Sequence, residues 1–304
     1  MPDGCKLNGT LIVGIVLSLF SAVAFSFSNI FVKKGTVREN FLASIFVTML
    51  ASETIVVAIS AVSGELFQIM DLTPFAIFIY GLTGFLGFTV GRTLNYSSIS
   101  NLGPSLTSTV ISGRIIFALL LSIFILSDNV TPLDILGDIV VTVGIIIVTL
   151  DKRSTGKFPT IYLIILIVAA AAIGAGDVLI RVGDNLSSLP IDGTFVAYAI
   201  GILSYIPIQG RQIFRKVGSL PRINVRFLLM AGTASGFAQV FRFTGLTYAP
   251  VFIAVPLMSL TPIITVYFSS VSLGDENIKA KFVAGVLITI IGIFILNALP
   301  SMGF

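Results

Sequence analysis

GAGDVLIRVG, residues 174–183, closes a long apolar run and places Asp177 and Arg181 one helical turn apart. SFSNIFVKKG, residues 26–35, closes another apolar run 148 positions earlier. In that register Gly35 falls on Gly183, Lys33 on Arg181 and Asn29 on Asp177. The spacing is close to half of the 304-residue chain, so the match reads as an internal duplication.

Composition sets the environment in which the duplication folds. The chain is 56% hydrophobic and only 11% charged, with a mean hydropathy of +1.06. A soluble domain carries roughly a quarter charged residues. This chain lacks the polar surface to stay in water and reads as an integral membrane protein. There is one cysteine, Cys5, and no histidine or tryptophan. An internal disulfide is therefore excluded, as are a Ser-His-Asp triad, histidine-ligated zinc or haem, and a histidine proton relay. The net charge of +4 is read by loop, as topology, and not as a nucleic-acid footprint. MPDGCKLNGT at the start lacks the basic region of a signal peptide, so the first apolar run is expected to stay as a span.

A membrane-crossing helix needs about 20 apolar residues. Ten runs qualify, at about 9–32, 40–62, 74–96, 103–126, 132–150, 160–181, 193–210, 225–247, 250–271 and 280–298. Pro74, Pro104, Pro132 and Pro159 stand at or beside first helical positions, where a missing N–H costs nothing. The seventh run is the weakest, interrupted by Pro207 and Gly210. Ten spans with a repeat imply two halves of five, 1–150 and 151–304. The tails of the halves agree: Gly137 and Gly144 match Gly285 and Gly292, and Asp128 matches Glu276. Five is odd, so the second copy enters the bilayer from the opposite side. The expected fold is all-α, two inverted five-helix repeats, a common build of secondary transporters.

Lys33, Lys34, Arg38, Lys152, Arg153, Lys157, Arg211, Arg215, Lys216, Arg222, Arg226, Lys279 and Lys281 collect on one side. Lys6 and Arg181 alone fall on the other. The positive-inside rule puts the basic side in the cytoplasm and both termini outside.

Residues 260–296, LTPIITVYFSSVSLGDENIKAKFVAGVLITIIGIFIL, carry a further signal. A helix with Pro262 ends in Leu273-Gly274, Glu276 follows, and the last helix holds Gly285 and Gly292. This pattern resembles the closing signature of the drug/metabolite transporter superfamily, in its EamA-type family. The first half repeats it more loosely with Asp128, Gly137 and Gly144. The resemblance implies a multi-pass transporter of the cell membrane and says almost nothing about its substrate. Two features depart from it. Arg114 stands where the repeat register places Pro262. The loop charges put the termini outside, whereas members of the family are usually drawn with cytoplasmic termini.

Ionisable residues deep in a span are costly and should face a partner or a cavity. Asp177 and Arg181 near one end, with Arg242 at a similar level, form one cluster; Asn29, Lys33 and Arg92 form its counterpart. Glu53 and Arg114 sit nearer mid-span. The functional reading takes Glu53, Arg114, Asn29, Asp177 and Arg242 as substrate-binding. Glu53, Asp177, Arg181 and Arg92 then serve gating or proton coupling. Structural readings stand beside it: Glu53 and Arg114 as a self-neutralising pair, Lys33, Arg92 and Arg181 as snorkelling cations, Asp177 as a cap. Asp138, less than two turns into the fifth run, is expected to be solvated. Gly81, Gly84, Gly87 and Gly91, and Gly232, Ser235 and Gly236, read as close-packing positions. Gly137/Gly144 and Gly285/Gly292 mark faces that pack against each other or against a second protomer in a homodimer. Pro207, Pro256 and Pro262 are expected to kink their helices.

Deep arginines outnumber deep acids, and guanidinium groups suit planar anions. The leading reading is a secondary transporter of a small organic metabolite bearing a carboxylate or phosphate, such as an amino acid. It works in the lipid bilayer, with no cofactor and no nucleic acid, and with proton coupling through Glu53 or Asp177. Two alternatives are an exporter of lipophilic cations acting through Glu53 and a non-transporting scaffold. No paired-Asp motif, metal cluster or triad supports an enzyme, and no GxxxxGK[ST] loop supports ATP-driven transport.

Overall fold

The computed structural model describes residues 9–36, 40–102, 107, 110–149, 160–273 and 280–298, and every regular element among them is helical. Pro104, Pro159, Gly274 and Glu276, with the basic residues Lys6, Arg38, Lys152, Arg153, Lys157 and Lys279, lie outside the described residues.

α1 (Gly9–Gly35) and α9 (Arg222–Tyr248) pack antiparallel along their whole length. Small residues make this seam. Gly14 abuts the Tyr248–Ala249 backbone and Gly35 abuts Leu228. Between them Ser21 and Ser28 donate to the carbonyls of Ala238 and Ala231, each at 2.9 Å. With lipid as apolar as the side chains, such close backbone approach and interhelical hydrogen bonds drive association. α2 (Phe41–Ser63) covers another side of α9, where Gly232 and Gly236 meet the Thr48 and Ser52 carbonyls. α2 ends at Gly64, whose φ of 84° is the left-handed conformation of a helix C-terminus. A short 3₁₀ turn, Glu65–Asp71, follows.

The third run begins as α3 (Pro74–Thr83), with Thr73 Oγ1 accepting from the Ala76 amide at 3.1 Å. It widens into a π-helical segment, Gly84–Gly91, and returns to α-helix as α4 (Arg92–Leu102). Gly84 lies on the Ala197 backbone and Gly91 on Ile173, so these two serve close packing, whereas Gly87, expected to do the same, has open space where a Cβ would sit. α5 (Arg114–Leu121) continues in a second π-helical segment, Ser122–Leu126. Then come α6 (Pro132–Thr149), α7 (Thr160–Ser187) and α8 (Pro190–Gly218). After α9 follow α10 (Val251–Met258), α11 (Thr261–Leu273) and α12 (Ala280–Ala298).

Three expectations change. The seventh run, read as 193–210, forms the 29-residue α8, continuous through Pro207. The sixth extends to Ser187 rather than 181. Hydropathy marks where lipid ends, while a helix runs on into the headgroup region. The ninth run is not merely kinked: it breaks at Ser259–Leu260, between Pro256 and Pro262, into α10 and α11. The glycine-marked faces pack against each other. Gly144 sits against Thr289 and the Gly285 carbonyl, and Gly137 against Leu296 and the Gly292 carbonyl, which joins α6 to α12 antiparallel.

Gly9–Gly35, Phe41–Ser63, Pro74–Ser98 and Ile164–Ser187 are long and apolar enough to cross a membrane by length and composition. Arg114–Leu126, Val251–Thr265 and Phe282–Leu296 are shorter apolar helices. Phe78, Phe124 and Phe294 stand more than half exposed on the outside. That places the apolar surface where lipid would wet it. The chain is a multi-pass membrane protein.

Candidate functional site

The stretch that opens the sequence reading also builds the core of the site. Gly174 lies against the Arg114 carbonyl at the start of α5, where a Cβ would sit only 2.7 Å away. α5 therefore presses onto α7 one turn before Asp177. Gly176, on the next face, leaves room for the Arg242 guanidinium from α9. Asp177 is fully buried between two arginines. Arg242 Nε donates to its Oδ1 at 2.7 Å. Arg114 Nη1 lies 3.8 Å from its Oδ2, an ionic contact too long for a hydrogen bond.

α9 supplies a polar stripe at i, i+4 and i+7: Ser235, Gln239 and Arg242. Gln239 Oε1 accepts from Arg242 Nη1 at 3.0 Å. Ser235 Oγ accepts from Arg92 Nη2 at 2.9 Å and lies 3.2 Å from Tyr198 Oη. The Arg92 guanidinium also sits over the rings of Phe88 and Tyr198, 5.7 and 5.8 Å from their centroids. Those two rings stack at 4.3 Å. Arg114 Nε donates to Ser259 Oγ at 3.1 Å, in the break between α10 and α11. Arg92, Arg114 and Ser259 thus all stand at helix discontinuities: the end of a π-helical segment, the start of a helix and a broken span. Irregular backbone at membrane depth is tolerated where it is buried in protein or lines a cavity, and π-helical turns recur at functional sites.

Two guanidinium groups, Arg114 and Arg242, share the Asp177 carboxylate, and a third, Arg92, meets the same α9 stripe at Ser235. Arg92 Nη1, Arg242 Nη2 and Asp177 Oδ2 are buried with no hydrogen-bond partner. Unmet buried donors on charged groups are expensive.

The structure brings together Asp177, Arg242 and Arg114, which the sequence reading had placed at one end and in the middle, and links Arg92 to the same α9 stripe through Ser235. Arg92, expected near one end, reaches the middle of α9. Glu53 does not pair with Arg114, whose nearest charges are Asp177 and Arg242. Its Oε2 is buried without a partner. Arg181 does not reach Asp177. Its Nη1 donates to the carbonyls of Leu246 and Thr247 and so caps the C-terminus of α9. Asn29 lies exposed on α1, away from the cluster. Asp138, expected to be solvated, is 1% exposed. Depth along a helix does not tell which side a residue faces, and this side of α6 turns inward. Gln239, Ser235, Tyr198 and Ser259 were missed. The α9 stripe carries the spacing that would have found the first two, whereas Tyr198 and Ser259 arrive only through tertiary packing.

A second group of acids gathers where α2 ends and α8 begins. Glu65 Oε2 accepts from the Ile191 and Asp192 amides at 3.0 and 3.4 Å, capping α8. Ser60 Oγ donates to Asp192 Oδ1 at 2.5 Å. Burial raises the Glu65 carboxyl above its ordinary value. The capping amides oppose the shift, and neighbouring Asp192 and Asp184 add to it. Burial likewise raises Asp192, against the Ser60 hydrogen bond.

Comparison with known proteins agrees with this architecture. A solved crystal structure, 14% identical, superposes with a TM-score of 0.75 over 97% of this chain and 98% of that one. Likeness at that identity speaks for the fold alone. No curated protein matches the sequence. The model of the EamA-like transporter family matches twice, over residues 12–150 and 160–298. The two matches start 148 positions apart, the spacing at which SFSNIFVKKG falls on GAGDVLIRVG. With nearly the whole chain covered by these two matches, the chain belongs to the EamA-like transporter family.

Proposed function

We propose that the chain is a secondary transporter of a small anionic metabolite, one bearing a carboxylate or phosphate. The observation that carries this is the surplus of guanidinium over carboxylate at the centre, with Arg92 Nη1 and Arg242 Nη2 buried and without an acceptor. Guanidinium binds carboxylate and phosphate through paired N–H donors. Arg92 and Arg114 hold the anion, because neither is bound to a carboxylate at hydrogen-bond distance. Asp177 fixes Arg242 and keeps the cluster from carrying three uncompensated charges. The Phe88 and Tyr198 rings offer an apolar wall beside the charged group.

Transport proceeds by alternating access, with ten spans in two inverted five-helix repeats, 1–150 and 151–304, rocking about the central cluster. The discontinuities at Arg92, Arg114 and Ser259 support this reading, since transporter sites form where helices break. The excess of basic residues in the loops on one side supports termini outside the cytoplasm. Glu53, with a buried and unpartnered oxygen, is a proton carrier of the cycle.

A thermal-shift screen of the purified protein tests the substrate class. Amino acids, organic acids, sugar phosphates, nucleosides and lipophilic cations are the probes, with Arg92→Gln and Arg114→Gln run in parallel. A ligand that binds only the folded state raises apparent stability. An anion should stabilise the wild type, and its affinity should fall about 10- to 100-fold in either variant, the worth of one charge-assisted contact. Stabilisation by lipophilic cations alone contradicts the reading.

A further inference from the structure

Asp138 is a deeply buried carboxylate that the central cluster does not use. It is 1% exposed, and neither Oδ1 nor Oδ2 has a hydrogen-bond partner. Its neighbours along α6 are spoken for. Asp134, one turn earlier, accepts from the Thr131 amide and hydroxyl, both at 2.8 Å, and so caps the helix. Thr142, one turn later, donates its hydroxyl to the Asp138 carbonyl at 2.8 Å, not to the carboxylate.

The elements packed against α6 bring no counter-charge among the described residues. α5 carries Arg114, which is engaged by Asp177 and Ser259. α10 carries no titratable group, and α11 carries only Tyr267. α12 carries Lys281, but Gly285 already lies beside Val148, ten residues along α6 from Asp138, and Lys281 is one turn further away. An ionised carboxylate in such surroundings costs several kcal/mol. The same group holding a proton costs far less. Asp138 is also close to the end of its helix. Six residue steps separate it from Pro132, about 9 Å along the axis. That end of α6 carries Asp134, and Glu65 and Asp192 stand where α2 ends and α8 begins.

We propose that Asp138 is a proton-binding site, loaded and unloaded from the Pro132 end of its helix when α6 loosens from α5, α10 and α11. The proton's use in coupling rests on the transporter reading above; its binding does not.

Dicyclohexylcarbodiimide, which reacts with protonated carboxyl groups in apolar surroundings, is the probe, and the full-length protein in detergent is the sample. Peptide mass spectrometry should locate an adduct on Asp138, and the α2 peptide with Glu53 is mapped in the same digest. The Asp138 adduct should fall about tenfold for each pH unit above its titration, be unchanged by added sodium and vanish in Asp138→Asn. Mapping on the wild type decides the matter even where the variant does not fold. No adduct on Asp138 at any pH, or an adduct that does not vary with pH, overturns the proposal. Protection by sodium at fixed pH also overturns it, in favour of a metal-cation site. Because no substrate is present, a failure here is distinct from a failure of the anion screen.

Discussion

Asp177 holds two arginines from different parts of the chain, α5 and α9, and is fully buried. Removing one partner of a buried ion pair leaves an uncompensated charge, at a cost of about 3–5 kcal/mol. Asp177→Asn should lower the midpoint of thermal unfolding in detergent sharply. Adding Arg242→Gln should restore part of the loss, because the stranded cation goes with its partner. Equal losses for the single and double variants would mean that the pair does not bind α7 to α9. Arg92→Gln should behave differently, costing anion affinity with little stability, since Arg92 is bound to the neutral Ser235 and not to a carboxylate among the described residues. The residues that carry charge were legible in the sequence, because any arginine in an apolar run stands out. Their partners were not. Nothing local to Glu53 or Arg114 says that they stay apart, and nothing local to Arg181 says that it caps the end of α9.

Helix ends and interruptions decide where these side chains meet. Pro256 and Pro262 foretold that the ninth run would not be regular, although they did not say that the break would fall at Ser259. The π-helical segment ahead of Arg92 had three glycines, Gly84, Gly87 and Gly91, as its only trace, and these read equally as packing positions. The turn Glu65–Asp71 was no more than a loop between apolar runs. In the structure, Glu65 joins it to α8 through two amides. The folded state holds the Glu65 proton above its ordinary value of 4.5. Just above that value the folded protein therefore binds more protons than the unfolded chain, and stability falls as pH rises through this window. Thermal unfolding of the wild type should show this downward slope on the alkaline side of pH 4.5, and Glu65→Gln should flatten it. An unchanged slope in the variant would assign the effect to other acids, Asp192 first among them.

At the scale of the whole molecule, the 148-residue register was legible from a ten-residue match and returns in the two segments matched by the family. The register aligns backbones, not chemistry. Asn29, the counterpart of Asp177, is exposed, and Arg114 stands at the counterpart of Pro262. The duplication has thus kept its helices while the charges have gathered in one asymmetric cluster. The proposed orientation rests on loop charge, and Cys5 is the only thiol in the chain. A membrane-impermeant maleimide should label it in intact cells. Labelling only after the membrane is permeabilised would invert the topology. Counterflow in vesicles tests the central cluster most directly. Wild-type protein, preloaded with the anion that stabilises it most in the thermal screen, should accumulate the labelled form of that anion against its own gradient. Arg92→Gln, folded and reconstituted to the same level, should not. Equal counterflow by both proteins, or counterflow of cations alone, would contradict an arginine-lined anion site.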